Sequence, residues 1–213
     1  MKFSSHFEKT YEKEQDQPDS SSKKQYLRPK DLQHNEEIEF IFLEEDPFMY
    51  WEAWGVNGDE WKPFRFPEGQ KPSEKDLNQE IEQGSWKRAE AKYDNKKQNI
   101  KKGDKSPASE VFAWPVWNCK EECIQIFNVS QPSIKNQIKK YSTLKKYRKG
   151  MTLEEDISCT LHKLDGSPIV YTFTPLDIEE DFNTQKVADA WKKVQENGFL
   201  INLLLDNGDP FEG

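Results

Sequence analysis

The sequence predicts a mainly β fold of the α+β class, and three observations carry the prediction. Apolar and polar residues alternate with a period of two in several short stretches, which is the pattern of a half-buried strand. Asn57-Gly58 and Asp165-Gly166 are hairpin turn signals, because both dipeptides tolerate the positive φ angles of a tight turn. A basic segment with helical spacing lies between two predicted hairpins.

The predicted elements follow one another along most of the chain. Strands are predicted at residues 37–43, 49–56, 60–66, 111–118, 123–129, 157–162 and 169–173, and helices at residues 73–83, 130–144 and 184–197. Ser73 and Ser130 are the predicted N-caps of the first two helices. Pro63 places its strand at a sheet edge, because proline has no N–H for a ladder. Ile134 and Ile138 form one helical stripe, which predicts that the helix caps a β-barrel with this side and leaves its lysines outward.

The element order predicts three parts. They are a flexible N-terminal arm (1–36), a core (37–175) with a basic insertion (84–108), and a C-terminal helix with an acidic tail (176–213). Tyr26 and Leu27 are the arm residues expected to dock on the core. A small, closed or nearly closed barrel with one inserted helix satisfies this order without long buried loops. The predicted core is therefore OB-fold-like.

The formal net charge of -8 argues against nucleic acid, but the charge is unevenly distributed. Residues 87–105, the first basic segment, hold eight Lys or Arg against three acidic residues; residues 132–150, the second basic segment, hold seven and no acidic residue. These segments carry +5 and +7, so the rest of the chain carries -20. A polarised protein can bind a polyanion locally while its acidic remainder repels non-specific contact.

The sequence has neither an apolar leader nor a run of 18 apolar residues, which predicts a protein without a membrane span. Three Cys in a chain of this length are not a disulfide framework. We therefore expect a soluble protein in the reducing cytoplasm.

Catalytic motifs are absent: the sequence has no GxSxG, Walker loop or HExxH. Glu44, Glu45 and Asp46, with Glu52, are candidates for a metal-dependent nuclease site, but acids that flank a proline turn are more often solvated. We do not predict an enzyme.

A zinc site would need four ligands in tetrahedral geometry. Cys119 and Cys123 have CxxxC spacing, and Cys159 with His162 would have to complete the set. This spacing is poor, so the cysteines are predicted to act as small reduced hydrophobic residues. We predict no metal and no cofactor.

Basic residues interleaved with aromatics indicate a single-stranded nucleic acid, whose phosphates pair with cations and whose bases stack on flat rings. The predicted stacking residues are Trp54, Trp61, Phe64, Trp117 and Tyr147. The predicted phosphate-binding residues are Lys87, Arg88, Lys96, Lys97, Lys101, Lys102, Lys139, Lys140, Lys145, Lys146 and Arg148. Alternation places Trp51 and Trp54 on opposite faces, and likewise Trp114 and Trp117; Trp54 and Trp117 are the predicted exposed members.

The chain from about residue 38 to residue 211 resembles the single-stranded DNA-binding proteins of tailed bacteriophages. The stretches that carry the resemblance are FIFLEEDPFMYWEAWG, FAWPVWNCKEECIQIFNVSQPSIKNQIKKY, DISCTLHKLDGSPIVYTFTPL and LLLDNGDPF. The resemblance implies an OB-fold core that coats single-stranded DNA during phage replication and recombination, in the cytoplasm of the host. Many members carry a zinc-binding insertion of paired Cys in the first half; residues 64–68 here read FRFPE, so no metal is carried over.

The acidic C-terminus resembles the tip by which bacterial single-stranded DNA-binding proteins recruit partners. The residues concerned are Asp206, Asp209, Pro210 and Phe211, although Glu212 and Gly213 follow the phenylalanine. Replication or recombination proteins are the partners expected there, and a purely solubilising tail is the other interpretation.

We therefore predict a non-enzymatic protein that coats single-stranded DNA without strong sequence specificity. An acidic protein-interaction module, either a partner recruiter or a DNA mimic, is the first alternative. A metal-dependent nuclease is the second.

Overall fold

The alternating stretches form a mixed, open β-sheet in a computed structural model of the chain, which describes residues 25–91, 103–198 and Leu205. The predicted α+β class is confirmed at this level. The chain divides into two compact units: unit 2 is Met49–Phe112, and unit 1 comprises the described residues on either side of it.

Unit 1 contains a sheet whose strand order is β1-β7-β6-β2-β8-β9. The strands are β1 (Tyr26–Leu27), β2 (Glu37–Phe42), β6 (Ser109–Asn118, in unit 1 from Ala113), β7 (Cys123–Val129), β8 (Ile157–Leu164) and β9 (Val170–Asp177). β2 pairs antiparallel with both β6 and β8, and β8 pairs antiparallel with β9. The predicted hairpins in this part of the chain are therefore present.

Two helices accompany this sheet, α2 (Pro132–Ser142) and α3 (Thr184–Glu196). Ile134 and Ile138 of α2 are buried, as the stripe predicts. The predicted cap at Ser130 is wrong: the N-cap residue is Gln131, and its side chain makes no capping bond. Pro132 decides the start, because its fixed φ suits the first turn and it has no N–H that would need a cap.

The C-terminal half of β2, residues 40–42, is buried on both faces of the strand. On one face the rings of Phe40 and Phe127 lie 4.6 Å apart and those of Phe42 and Trp114 lie 5.2 Å apart. On the other face Ile41 packs in a cluster with Trp117 and with Val187 of α3. Neighbouring side chains of a strand point to opposite faces, so β2 joins two apolar layers.

The N-terminal segment from Gln25 onward belongs to unit 1, so the predicted end of the arm at residue 36 is too late. The predicted docking of Tyr26 and Leu27 is confirmed, because β1 pairs parallel with β7. Lys163 is buried, and its Nζ donates to the carbonyl oxygens of Lys30 (3.1 Å) and Leu32.

Unit 2 contains one long strand, which belongs to it from Met49 onward, two shorter strands and a helix. The bounds are β3 (Phe48–Asn57), β4 (Glu60–Pro67), α1 (Glu74–Ile81) and β5 (Lys87–Arg88). β3 pairs antiparallel with β4 from Tyr50↔Pro67 to Asn57↔Glu60, and also with β5. Within the described residues β4 pairs with β3 alone, which agrees with the edge position that Pro63 predicts.

The core of unit 2 lies between β3, β4 and α1. It contains Ala53, Phe64, Leu77, Ile81 and Ala108, with Trp51, Phe66 and Trp86 packed against it. Gly55 permits this packing, because a Cβ there would lie 2.6 Å from a ring carbon of Phe64.

The predicted cap of α1 is confirmed. The Ser73 hydroxyl accepts from the Asp76 N–H at 3.3 Å, and the Asp76 carboxylate accepts from the Ser73 N–H at 2.9 Å. The Ser73 hydroxyl also donates to the Asp76 carboxylate at 2.7 Å, and this bond, followed by the one from the Ser73 N–H, holds the pKa of Asp76 below its usual value.

Residues 92–102, the middle of the predicted basic insertion, lie outside the described residues. The flanks of the insertion meet as an antiparallel bridge between Glu90 and Lys105. The Ala91 N–H donates to the Asp104 carbonyl at 2.7 Å, and the Ser106 N–H donates to the Ala89 carbonyl at 2.8 Å. These contacts fix the two ends of the predicted basic insertion where it leaves unit 2. In the part of the chain that is described, no helix has the length and apolarity needed to cross a membrane.

Candidate nucleic-acid interface

The register of β3, β4 and β5 sorts the predicted binding residues of unit 2 onto two faces. Trp54 lies opposite Pro63, and Val56 lies opposite both Trp61 and Lys87. Directly paired residues share a face of the sheet, and residues two apart along a strand share it as well. Trp54, Trp61 and Lys87 therefore lie on one face, which we call the aromatic face.

Trp61 is the most accessible ring of this face, with 55% of its surface exposed. It follows the Asn57-Gly58 hairpin turn directly, and Gly58 has the positive φ (61°) that such a turn requires. Trp54 is half-buried and Lys87 is exposed. The face thus presents an accessible indole, a second indole and an ammonium group within one small sheet.

The opposite face of this sheet is turned to the core of unit 2. Trp51 packs against that core, its indole N–H donates to the Gly69 carbonyl at 3.3 Å, and the Lys71 ammonium lies 5.7 Å from its ring centroid. Trp51 and Trp54 are therefore on opposite faces, as the alternation predicts.

Phe64 and Arg88 lie on the core side, so their predicted roles in DNA binding are wrong. Phe64 is a core residue, and Arg88 is 2% exposed. The Arg88 guanidinium forms an ion pair with Glu74 and donates to the Ser106 carbonyl at 2.8 Å and to the Asn78 side chain at 3.3 Å. The sequence contained the signal for this correction, since Trp61 and Phe64 are three positions apart in a strand and Lys87 and Arg88 are adjacent.

Unit 1 carries a second group of predicted residues on and after α2. Lys139, Lys140, Lys145, Lys146 and Arg148 are all exposed, and we call them the α2 basic surface. Lys146 is 2.8 Å from Asp177, and the hydrogen bond between them raises the pKa of the lysine. Within the described chain, no carboxylate oxygen lies within 4.0 Å of the other four cations. Their charge is therefore available to an anionic ligand.

Trp117 and Tyr147 are buried, so the predicted exposure of Trp117 and the predicted stacking of bases on either ring are wrong. Trp117 is 5% exposed in the cluster with Ile41 and Val187. Tyr147 is 8% exposed, and its hydroxyl donates to the Pro175 carbonyl at 3.4 Å. Trp114 is buried as well, but it packs with Phe42 on the opposite face of the sheet, so the predicted separation of Trp114 and Trp117 is confirmed.

The candidate nuclease carboxylates do not form a cluster in the described structure. Glu44 and Asp46 are exposed residues of unit 1, whereas Glu52 belongs to unit 2 and accepts from the Arg65 guanidinium at 3.4 Å. Among the residues that the structure describes, no group of three His, Cys, Asp or Glu could hold a metal ion.

Cys159 is buried and Cys119 is half-buried. Burial, together with the nearby Glu39 carboxylate, raises the pKa of Cys119 to about 12 and raises the pKa of Cys159 as well. Both are free cysteines, as is Cys123.

Several predicted binding residues lie outside the described residues. They are Lys96, Lys97, Lys101 and Lys102 of the first basic segment and Asp206, Asp209, Pro210 and Phe211 of the tail. The aromatic face belongs to unit 2 and the α2 basic surface to unit 1. That the two basic segments act on one ligand stays a prediction.

Comparison of the chain with protein-family models, with curated proteins and with solved structures found no match.

Proposed function

We propose that this protein binds and coats single-stranded DNA without strong sequence specificity, and that it does so without catalysis. The observation that carries the proposal is the aromatic face, where the strand register gathers Trp54, Trp61 and Lys87 on one side of a sheet. A flat ring beside a cation suits an unpaired base and its phosphate, and each stacked base contributes about 1–3 kcal/mol. Every base has such a flat face, so binding of this kind has little sequence preference.

The α2 basic surface supports the proposal from the other unit. Its cations lie on a segment that contains seven Lys or Arg and no acidic residue. Phosphate binding releases counterions from a nucleic acid, and this electrostatic contribution is independent of sequence. We propose that this surface binds the backbone, while the aromatic face stacks the bases.

The strand order supports an OB-fold-like core as part of this proposal. The strands of unit 1 other than β1 follow the order β7-β6-β2-β8-β9, with α2 between β7 and β8 in the chain. Unit 2 is inserted between β2 and β6, which are the first and second strands of this set in the order of the chain. In an OB-fold, the loop between the first two strands is one of the two loops that bind oligonucleotides. The resemblance to phage proteins adds the proposed setting, which is DNA replication and recombination in the host cytoplasm.

The test is a titration of the full-length protein with oligo-dT, followed by tryptophan fluorescence at several salt concentrations. We expect quenching at low salt and a steep loss of affinity with salt, with about -0.7 in the log–log slope for each neutralised phosphate. Lys139→Gln combined with Lys140→Gln should reduce the magnitude of that slope by about 1.4. The matched control is Lys192→Gln with Lys193→Gln, which removes two exposed charges from α3 and should leave the slope unchanged.

Two results would overturn the proposal. One is the absence of quenching by wild-type protein at low salt. The other is an equal change of slope in the α2 and α3 variants, because it would mean that the protein responds to net charge alone. If the protein fails to bind oligo-dT but co-purifies with a replication protein, the acidic interaction module becomes the better hypothesis.

A further inference from the structure

Gln137 lies on the side of α2 that faces the sheet. It is adjacent to Ile138 and three residues after Ile134, and both isoleucines are buried. Tyr141, one turn further on, packs its ring 6.0 Å from that of Phe173 in β9. A polar side chain in this position needs hydrogen-bond partners, because an unpaired polar group near a core is costly.

The partners of Gln137 are two peptide groups of β9. The side-chain Nε2 of Gln137 donates to the Tyr171 carbonyl at 2.8 Å, and its Oε1 accepts from the Phe173 N–H at 2.9 Å. The second N–H of the same amide donates to the Ser133 carbonyl at 3.2 Å. Because the oxygen faces a donor and the nitrogen faces two acceptors, the orientation of the amide is determined by its contacts.

These contacts occupy the outer edge of the sheet. β9 pairs with β8 on one side and ends the described strand order on the other. A neighbouring strand would offer one N–H and one C=O to residues two apart on an edge strand. The Gln137 side chain offers the same pair of groups to Tyr171 and Phe173, and so takes the place of the N–H and C=O of one residue in a further, parallel strand.

The hydrogen bonds of Gln137 constrain the position of the α2 basic surface. The apolar contacts of α2 are non-directional, so they define the position of the helix along the strand less sharply than hydrogen bonds do. The two bonds of Gln137 are directional and are satisfied at one register only. Lys139 and Lys140 follow two and three residues later on the same rigid helix, so this register fixes where their ammonium groups lie.

We propose that Gln137 is a positioning residue for nucleic-acid binding, which locks α2 to the edge of β9 and thereby sets the position of the α2 basic surface. The inference rests on the proposed function, and Gln137 itself does not contact the DNA. It acts through the lysines that it holds in place.

The test compares three full-length variants by oligo-dT titration over a salt series, well below their unfolding temperatures. Gln137→Leu removes both bonds to β9 and changes no charge, so a slope of smaller magnitude can come only from displaced cations. Asn136→Leu places the same side chain at the adjacent exposed position and is the surface control. Ile134→Val loosens the packing of α2 without touching these bonds, and it is the control for loss of stability.

We expect Gln137→Leu to lower the affinity at low salt about three- to tenfold and to reduce the magnitude of the slope by about 0.7 or more, the contribution of one phosphate. Amide hydrogen exchange at Phe173, measured without DNA, should accelerate in Gln137→Leu. Both controls should keep the wild-type slope.

The outcomes separate the inference from the function on which it rests. Wild-type protein that does not bind oligo-dT overturns the proposed function, and the positioning role with it. Wild-type binding with an unchanged slope in Gln137→Leu overturns the positioning role alone. An equal change of slope in Ile134→Val also overturns it, because loosened packing would then explain the result.

Discussion

Trp61 and Phe64 are three positions apart in one strand, yet they lie in opposite environments. Trp61 is 55% exposed on the aromatic face, whereas Phe64 is 8% exposed in the core of unit 2. Composition and proximity in sequence made both of them candidates for base stacking. Strand alternation separates them, because an odd spacing reverses the face.

We expect Trp61→Ala to weaken oligo-dT binding about tenfold while leaving the unfolding free energy nearly unchanged, since one stacking contact is worth about 1–3 kcal/mol and an exposed side chain contributes little to folding. Phe64→Leu should do the reverse, and should lower the unfolding free energy by about 1 kcal/mol with affinity unchanged. Fluorescence anisotropy and urea denaturation measure the two quantities. A loss of affinity in Phe64→Leu that equals the loss in Trp61→Ala would contradict this assignment.

The thiol of Cys119 should resist alkylation in the folded protein. Burial raises its pKa to about 12, and the thiolate that reacts with iodoacetamide forms only as the pH rises through that value. At pH 8 we therefore expect a thiolate fraction of about 10⁻⁴ and no modification of Cys119 or Cys159 by mass spectrometry. Unfolding in urea should allow both to react. Rapid labelling of Cys119 in native protein would argue against a raised pKa of this thiol.

β5 has two residues, and each faces a different environment. Lys87 is exposed on the aromatic face. Arg88 connects β5 to Glu74 of α1 and to the Ser106 carbonyl, which follows residues 92–102 in the chain. Of two adjacent basic residues, one is thus accessible to a ligand and the other is held in the core of unit 2. Arg88 also links the described residues on the two sides of residues 92–102, because its own backbone precedes them and its guanidinium binds the Ser106 carbonyl after them.

Arg88→Leu should therefore lower the unfolding free energy by about 1–3 kcal/mol, because it leaves the half-buried Ser106 carbonyl without its donor, whereas the exposed Asn78 side chain can bond to water. The Glu74 carboxylate adds little to the cost, since its side chain is 73% exposed and stays solvated. Lys87→Gln is the matched control, with an expected loss of oligo-dT affinity and an unchanged denaturation midpoint. Equal stability of the two variants would show that Arg88 does not hold the unit together.

The helices were predictable to different degrees. Ser73, with Asp76 three residues later, is a local capping pattern, so the start of α1 follows from the sequence. The start of α2 does not follow from Ser130, because the restriction imposed by Pro132 outweighs a possible cap. The partners of Gln137 lie 34 and 36 residues away, and no local pattern predicts them.

At the scale of the whole molecule, charge is segregated. The basic segments at residues 87–105 and 132–150 belong to different units, and the rest of the chain carries -20. The two segments give each unit its own source of positive potential, while the acidic remainder disfavours unspecific contact with a polyanion. The oligo-dT titration over a salt series tests this arrangement directly, since its slope counts the cations that neutralise phosphates.

The sequence by itself determined the elements whose causes are local. Period-two alternation placed the strands, Asn57-Gly58 placed a hairpin turn, and the isoleucine stripe placed the buried side of α2. It also determined that Trp51 and Trp54 point in opposite directions, because this depends on the strand backbone alone.

Only the tertiary structure decided which candidate residues are accessible. Trp117 and Tyr147 are buried because α3 and β9 pack over them, and both elements come from distant parts of the chain. Arg88 is bound by α1, and Gln137 is bound by β9. Burial depends on what packs against a side chain, and that neighbour is set by long-range strand and helix pairing rather than by adjacent residues.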